Sequence, residues 1–178
     1  MKRVFLIGYM GSGKTTVGKR LAKLLLLSFV DLDDYIQNKY RKTIAQIFDE
    51  YGEEEFRKIE ARALRDVAEI ENVLISTGGG APCYFDNMKI MNLTGVTVYI
   101  EADPEELASR LLASKTVRPL VADKSEEELV PFIEKHLSQR ESYYKSANII
   151  YRTERMITKE EIHRTVLGIA EQLENFKK

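Results

Sequence analysis

Apolar positions along the chain follow two alternating periods. Short runs rich in aliphatic and β-branched residues read as strands at Arg3–Ile7, Phe29–Asp31, Val73–Ser76, Val96–Ile100 and Asn148–Tyr151. Between them the spacing lengthens to three and four. Val17, Leu21, Leu24 and Leu25 recur at helical spacing behind the first run. From Glu53 to Glu71, the residues Phe56, Ile59, Ala63, Leu64, Val67 and Ile70 share one helical face. Thr43-x-x-Gln46, Ser125-x-x-Glu128 and Thr158-x-x-Glu161 read as capping boxes, and Asp103-Pro104-x-Glu106 offers an N-cap, a proline at N1 and an N3 glutamate. Gly52 is a plausible helix stop. Pro131 lies deep enough behind Ser125 that a kink or a late helix start is expected there. Apolar strands alternating with amphipathic helices predict an α/β fold, a parallel sheet covered by helices on both faces.

Two intervals stand apart from this alternation. The helical stretch 34–61 reads as an insertion between the second and third strands. Residues 113–124 carry Lys115, Arg118, Pro119 and Lys124 with little apolar periodicity, which suits a lid over an anionic ligand or an ordinary solvated loop. At 178 residues the chain is expected to form one domain. Its 27 basic and 28 acidic residues leave no global field that would favour nucleic acid or membrane. No segment approaches the ~18 apolar residues of a membrane span. The apolar run behind Met1-Lys2-Arg3 is too short for a signal peptide, and with a single cysteine, Cys83, a cytoplasmic location is expected. Cys83 has no evident base partner and reads as a small packed residue. His136 and His163 lie far apart in polar stretches, so no histidine metal site is expected.

The chemistry begins directly after the first strand. Gly8–Thr15 reads GYMGSGKT, a complete Gly-x-x-x-x-Gly-Lys-Thr phosphate-binding loop with a strand before it and a helix after it. In that setting the backbone N–H groups of Gly11, Ser12, Gly13, Lys14, Thr15 and Thr16 cradle polyphosphate oxygens at a helix N-terminus. Lys14 reaches the β- and γ-phosphates, and the Thr15 hydroxyl takes a place on Mg²⁺. A nucleotide with Mg²⁺ is therefore the expected ligand pair.

Four further motifs follow, each with a plainer alternative. Asp31 and Asp33 end the second strand; two apart, both carboxylates would face the nucleotide, one towards the metal and one towards an accepting hydroxyl. Alternatively, Asp33 or Asp34 caps the next helix. Arg57 and Glu60 share a helical face, so the acid can orient a guanidinium for a planar carboxylate, or the two can form a solvated ion pair. Ser76-Thr77-Gly78-Gly79-Gly80 closes the third strand and would let backbone approach a ligand closely, or serve as a tight turn. Arg118 and Arg140 supply further cations, Arg118 as a finger on the transferring phosphoryl group and Arg140 beside Arg57 on an anionic acceptor; either could equally be a surface charge.

Together these motifs resemble the shikimate kinases of the P-loop kinase group. The resemblance runs through GYMGSGKTT (8–16), FVDLD (29–33), IAQIF (44–48), EFRKIE (55–60), STGGGA (76–81), VRPL (117–120) and the QRESYY segment around Arg140. It implies a five-stranded parallel sheet, a small helical substrate-binding insertion, a mobile lid and ATP-dependent phosphorylation of the shikimate 3-hydroxyl. It further implies that Asp33 binds that hydroxyl and serves as base, and that Asp31 holds the metal through water. Arg57, Arg140 and the Gly79–Gly80 backbone would anchor shikimate, Phe48 and Phe56 would wall its ring, Arg118 would touch acceptor and phosphate, and Arg110 would lie on adenine. A monomer is expected. A kinase of another small carboxylated polyol such as gluconate, and a nucleotide-binding module without transfer, remain the alternatives.

Overall fold

The computed structural model describes residues 2–113, 125–154 and 156–176. Five strands, β1 Arg3–Ile7, β2 Ser28–Asp31, β3 Val73–Ser76, β4 Val96–Glu101 and β5 Ile149–Arg152, form one parallel sheet in the order β2-β3-β1-β4-β5. The helices are α1 Lys14–Leu24, α2 Leu32–Tyr40, α3 Ile44–Ala68, α4 Asn87–Thr94, α5 Pro104–Ala113, α6 Glu126–Lys145 and α7 Lys159–Asn175.

β1 lies at the centre, and Val4, Phe5, Leu6 and Ile7 are all fully buried, as expected of a strand covered on both faces. Its side chains alternate between two cores. Val4 and Leu6 join Val17 and Leu21 of α1 and Ile169 and Leu173 of α7. Phe5 and Ile7 join Phe56, Leu64 and Val67 of α3 and Met91 of α4. A third cluster, with Tyr9, Leu107, Leu111, Leu129 and Ile133, ties α5 and α6 to the end of β1. From β1 the chain passes to β2 and β3 on one side and then to β4 and β5 on the other, so the strand order reverses at β1. Ligand crevices in such sheets open at the C-terminal strand ends beside that reversal.

The capping boxes at Thr43, Ser125 and Thr158 are all formed. α3 breaks at Gly52 (φ 76°, ψ 172°), a conformation essentially restricted to glycine, and resumes at once. Two expectations need correction. α6 starts at Glu126, directly behind its cap, and continues through Pro131; the proline is solvent-exposed, so the carbonyl that loses its helical donor lies near water. Ile70 does not extend the buried face of α3; the helix ends at Ala68 and Ile70 is exposed. Arg118 and the proposed lid beyond Ala113 lie outside the described residues. Among the described residues no helix is long and apolar enough to cross a membrane.

Candidate active site

The phosphate loop leaves the C-terminal end of β1 and turns into α1. Gly13 is the N-cap of that helix at φ 91°, a left-handed conformation that costs glycine least. Lys14 is buried, and its ammonium donates to the Gly8 and Tyr9 carbonyl oxygens at 2.9 and 2.8 Å. Thr15 Oγ1 donates to Asp31 Oδ2 at 2.9 Å, so a hydroxyl and a carboxylate of two different elements meet at the mouth of the loop.

Cavities flank the loop on both sides. One, of about 260 Å³, is lined by Gly11, Gly13, Lys14, Thr15, Thr16, Arg110, Leu111, Met156 and Ile162. Arg110 donates to Glu106 Oε1 and to the Ser12 and Glu154 carbonyl oxygens, which bridges the loop and the segment behind β5. Met156 and Ile162 carry no motif, and only the fold brings them to this wall.

The other cavity, of about 180 Å³, is lined by Met10, Asp33, Ile44, Phe48, Phe56, Arg57, Glu60, Gly78, Gly79, Gly80 and Arg140. Five separate stretches of sequence meet there. Gly79 and the phosphate loop are neighbours: a Cβ on Gly79 would stand 3.4 Å from the Gly8 carbonyl oxygen and from Met10 N. Tyr144 of α6 donates its hydroxyl to the Gly79 carbonyl at 2.7 Å and stacks on Tyr99 of β4, which fixes the helix that carries Arg140. The Arg140 guanidinium lies 5.7 Å from the centre of the Tyr9 ring.

The Arg57 side chain is only 11% exposed. Its guanidinium donates to Glu60 Oε2 and Glu53 Oε1, both at 3.0 Å, and lies 4.3 Å from the Tyr84 ring centre. Phe48 and Phe56 pack on each other with centroids 4.3 Å apart beside it. The solvated-pair alternative fails at Glu60, whose side chain is 1% exposed. Burial pushes the Glu60 carboxyl up to about 7, with Asp33 adding to the rise and Arg57 and Arg140 opposing it. A Cβ on Gly78 would stand 2.9 Å from Glu60 Oε1 and 3.2 Å from Asp33 Oδ1, so a side chain there would crowd both carboxylates. Cys83 packs against this core, and burial raises its thiol to about 11.

The strand argument for Asp31 and Asp33 is wrong in its geometry. β2 ends at Asp31, and Asp33 stands in the first turn of α2. Asp31, rather than Asp33 or Asp34, is the cap, accepting from Asp33 N at 3.1 Å. The two acids consequently separate, Asp31 towards Thr15 and Asp33 into the second cavity. Glu53, Tyr84, Tyr9 and His136, whose Nδ1 lies 3.2 Å from the Tyr9 hydroxyl, carried no recognisable signal in the sequence.

A phosphate loop on the central strand, facing a compact cavity of arginines and acids, defines a P-loop phosphotransferase of a small anionic acceptor. The profile of the family described as shikimate kinase matches residues 10–171. A shikimate kinase of Parabacteroides distasonis is 56% identical over 92% of this chain and 94% of its own. The crystal structure of shikimate kinase from Bacteroides thetaiotaomicron superposes with a TM-score of 0.94 at 44% identity, covering 97% of this chain and 98% of that one. Shikimate kinase from Acinetobacter baumannii, solved in complex with shikimate, gives a TM-score of 0.83 at 29% identity, covering 100% and 96%. This chain belongs to the shikimate kinase family.

Proposed function

We propose that the chain transfers the γ-phosphoryl group of ATP to the 3-hydroxyl of shikimate, giving shikimate 3-phosphate and ADP. The observation that carries this reading is the caged Arg57 beside Arg140 and Asp33 in a cavity that opens onto the phosphate loop. Two guanidinium groups set against Asp33 and Glu60 suit a monoanion that carries hydroxyls. A nucleoside monophosphate would bring two negative charges and a base to a cavity already lined with acids.

Arg57, Arg140 and the Gly79–Gly80 backbone anchor the acceptor, the two arginines at its carboxylate, and Phe48 and Phe56 wall its ring. That orientation directs a hydroxyl at Asp33, which accepts its proton as the oxygen attacks. On the other side, the loop N–H groups of Gly11–Thr16 hold the phosphates, and Lys14 exchanges a loop carbonyl for a phosphate oxygen. Arg110 borders the adenine side. Thr15 and Asp31 fit Mg²⁺, since a hydroxyl and a carboxylate already meet at the mouth of the loop, the acid acting through water. Bound there, Mg²⁺ would neutralise charge on the β- and γ-phosphates. Arg118, in a lid over residues 113–124, would stabilise charge on the transferring group. The insertion 34–61 would supply the acceptor wall, and the enzyme would act as a cytoplasmic monomer.

The test is acceptor-dependent ADP release with shikimate, gluconate, AMP, CMP and GMP. Turnover confined to shikimate is expected. Turnover confined to any other acceptor, or ATP binding without transfer, would end this reading.

A further inference from the structure

Before any acceptor arrives, Arg57 already faces two carboxylates, and they differ in character. Glu60, on Nη1, has a side chain that is 1% exposed. Glu53, on Nη2, is 58% exposed and follows Gly52, where α3 breaks. The same Glu53 oxygen also accepts from the Tyr84 hydroxyl at 3.1 Å, while the Tyr84 ring packs on the guanidinium. Arg57 holds the Glu53 carboxyl below the usual carboxylate range, so Glu53 is charged in the empty site. Glu53 also lines a third cavity, of about 480 Å³, which shares Ile44, Phe48, Arg57 and Arg140 with the acceptor cavity.

A third carboxylate brought to one guanidinium repels those already there, and the carboxylate with access to water yields its place most readily. Glu60 is enclosed. Glu53 needs only a side-chain rotation to exchange its two donors for water. We propose that Glu53 is a resident competitor for the acceptor's carboxylate: it occupies Arg57 in the empty site, is displaced by the incoming anion, and recaptures Arg57 as product leaves. Glu53 thereby keeps Arg57 aligned between turnovers and weakens every carboxylate ligand by a common factor. A ligand without a carboxylate does not displace it. This inference rests on the reading that the acceptor carboxylate binds Arg57.

The test is steady-state kinetics at saturating Mg·ATP for wild type, Glu53→Gln and Tyr84→Phe. Shikimate serves as substrate, cyclohex-1-ene-1-carboxylate as a competitive inhibitor and the carboxamide of shikimate as a neutral comparator. Glu53→Gln is expected to lower the shikimate KM and the inhibitor constant together, by roughly two- to fivefold, the range for a solvent-screened ion pair. The KM of the carboxamide stays where it is, and kcat changes less than the shikimate KM. Tyr84→Phe keeps the ring but frees Glu53 of one donor, and shifts both carboxylate constants in the same direction by a smaller factor. An unchanged or raised shikimate KM in Glu53→Gln makes Glu53 a buttress of Arg57 and overturns the proposal. Should that variant fail to fold, an unchanged or raised KM in Tyr84→Phe overturns it instead. Absence of shikimate turnover in the wild type would overturn the functional reading itself, a separate outcome.

Discussion

Replacing Gly80 with alanine tests the acceptor site with a single methyl group. Gly80 sits at φ −82°, ψ −22°, which any residue adopts without backbone strain. The added Cβ would stand 2.7 Å from Arg57 Nη1, 2.8 Å from Nη2 and 2.9 Å from Cζ. Ordinary contact begins near ~3.5 Å, so the guanidinium must retreat by roughly 0.7 Å. It has little freedom to do so, being bonded to the buried Glu60 and packed on Tyr84. Misplacing one charge-assisted hydrogen bond to the acceptor costs about 1.5–3 kcal/mol, which is roughly 10- to 150-fold in affinity. Coupled ADP-release assays, varying shikimate at saturating ATP and the reverse, read the two substrates separately. The account predicts a rise of that size in the shikimate KM with the ATP KM within about twofold of wild type. A folded variant whose shikimate KM is unchanged, or whose two KM values rise together, would refute the assignment of Arg57 as the carboxylate anchor.

Asp33→Asn should lower kcat by ~10²–10⁴-fold, the usual worth of a positioned base, while calorimetric ATP affinity stays near wild type; unaltered turnover removes Asp33 from the chemistry. Because the folded Glu60 carboxyl titrates near 7 rather than its ordinary 4.5, its favourable contribution is complete below pH 4.5 and lost as pH rises through 7. Urea denaturation from pH 4.5 to 8 should therefore show the stability of Glu60→Gln rising relative to wild type by on the order of 1–3 kcal/mol. A difference that is flat or falls with pH contradicts this. Met156→Ala opens the wall against Gly13 and should raise the ATP KM more than the shikimate KM, with about 2–5 kcal/mol lost in stability; equal effects on both substrates would count against two separate cavities.

The parts of the fold that depend on short stretches were readable in the sequence. The strands β1 and β3 have the expected limits, and all three capping boxes close, because strand pattern and cap chemistry are local. The phosphate loop was legible for the same reason. The two aspartates show where local reasoning ends. An Asp31 that caps α2 lets the helix start one residue after the strand, and that turn sends Asp33 to a different cavity from the one a continuing strand would give it. The partnership of Arg57 and Glu60 was readable from their spacing, but the burial of Glu60 was not, since it depends on α3 packing beneath the glycine turn. Glu53 and Tyr84 meet 31 residues apart on the same guanidinium, and Met156 reaches Gly13 from behind the last strand. Such contacts belong to the tertiary fold and leave no periodic trace.

The most direct test of the whole arrangement is the identity of the product. Wild-type protein incubated with ATP, Mg²⁺ and shikimate, followed by ³¹P–¹H correlation, reports which hydroxyl has been esterified. The account predicts one ADP per phosphoester and a phosphorus coupled to the proton on carbon 3. Phosphate on another hydroxyl, or ADP released without a phosphoester, would contradict it.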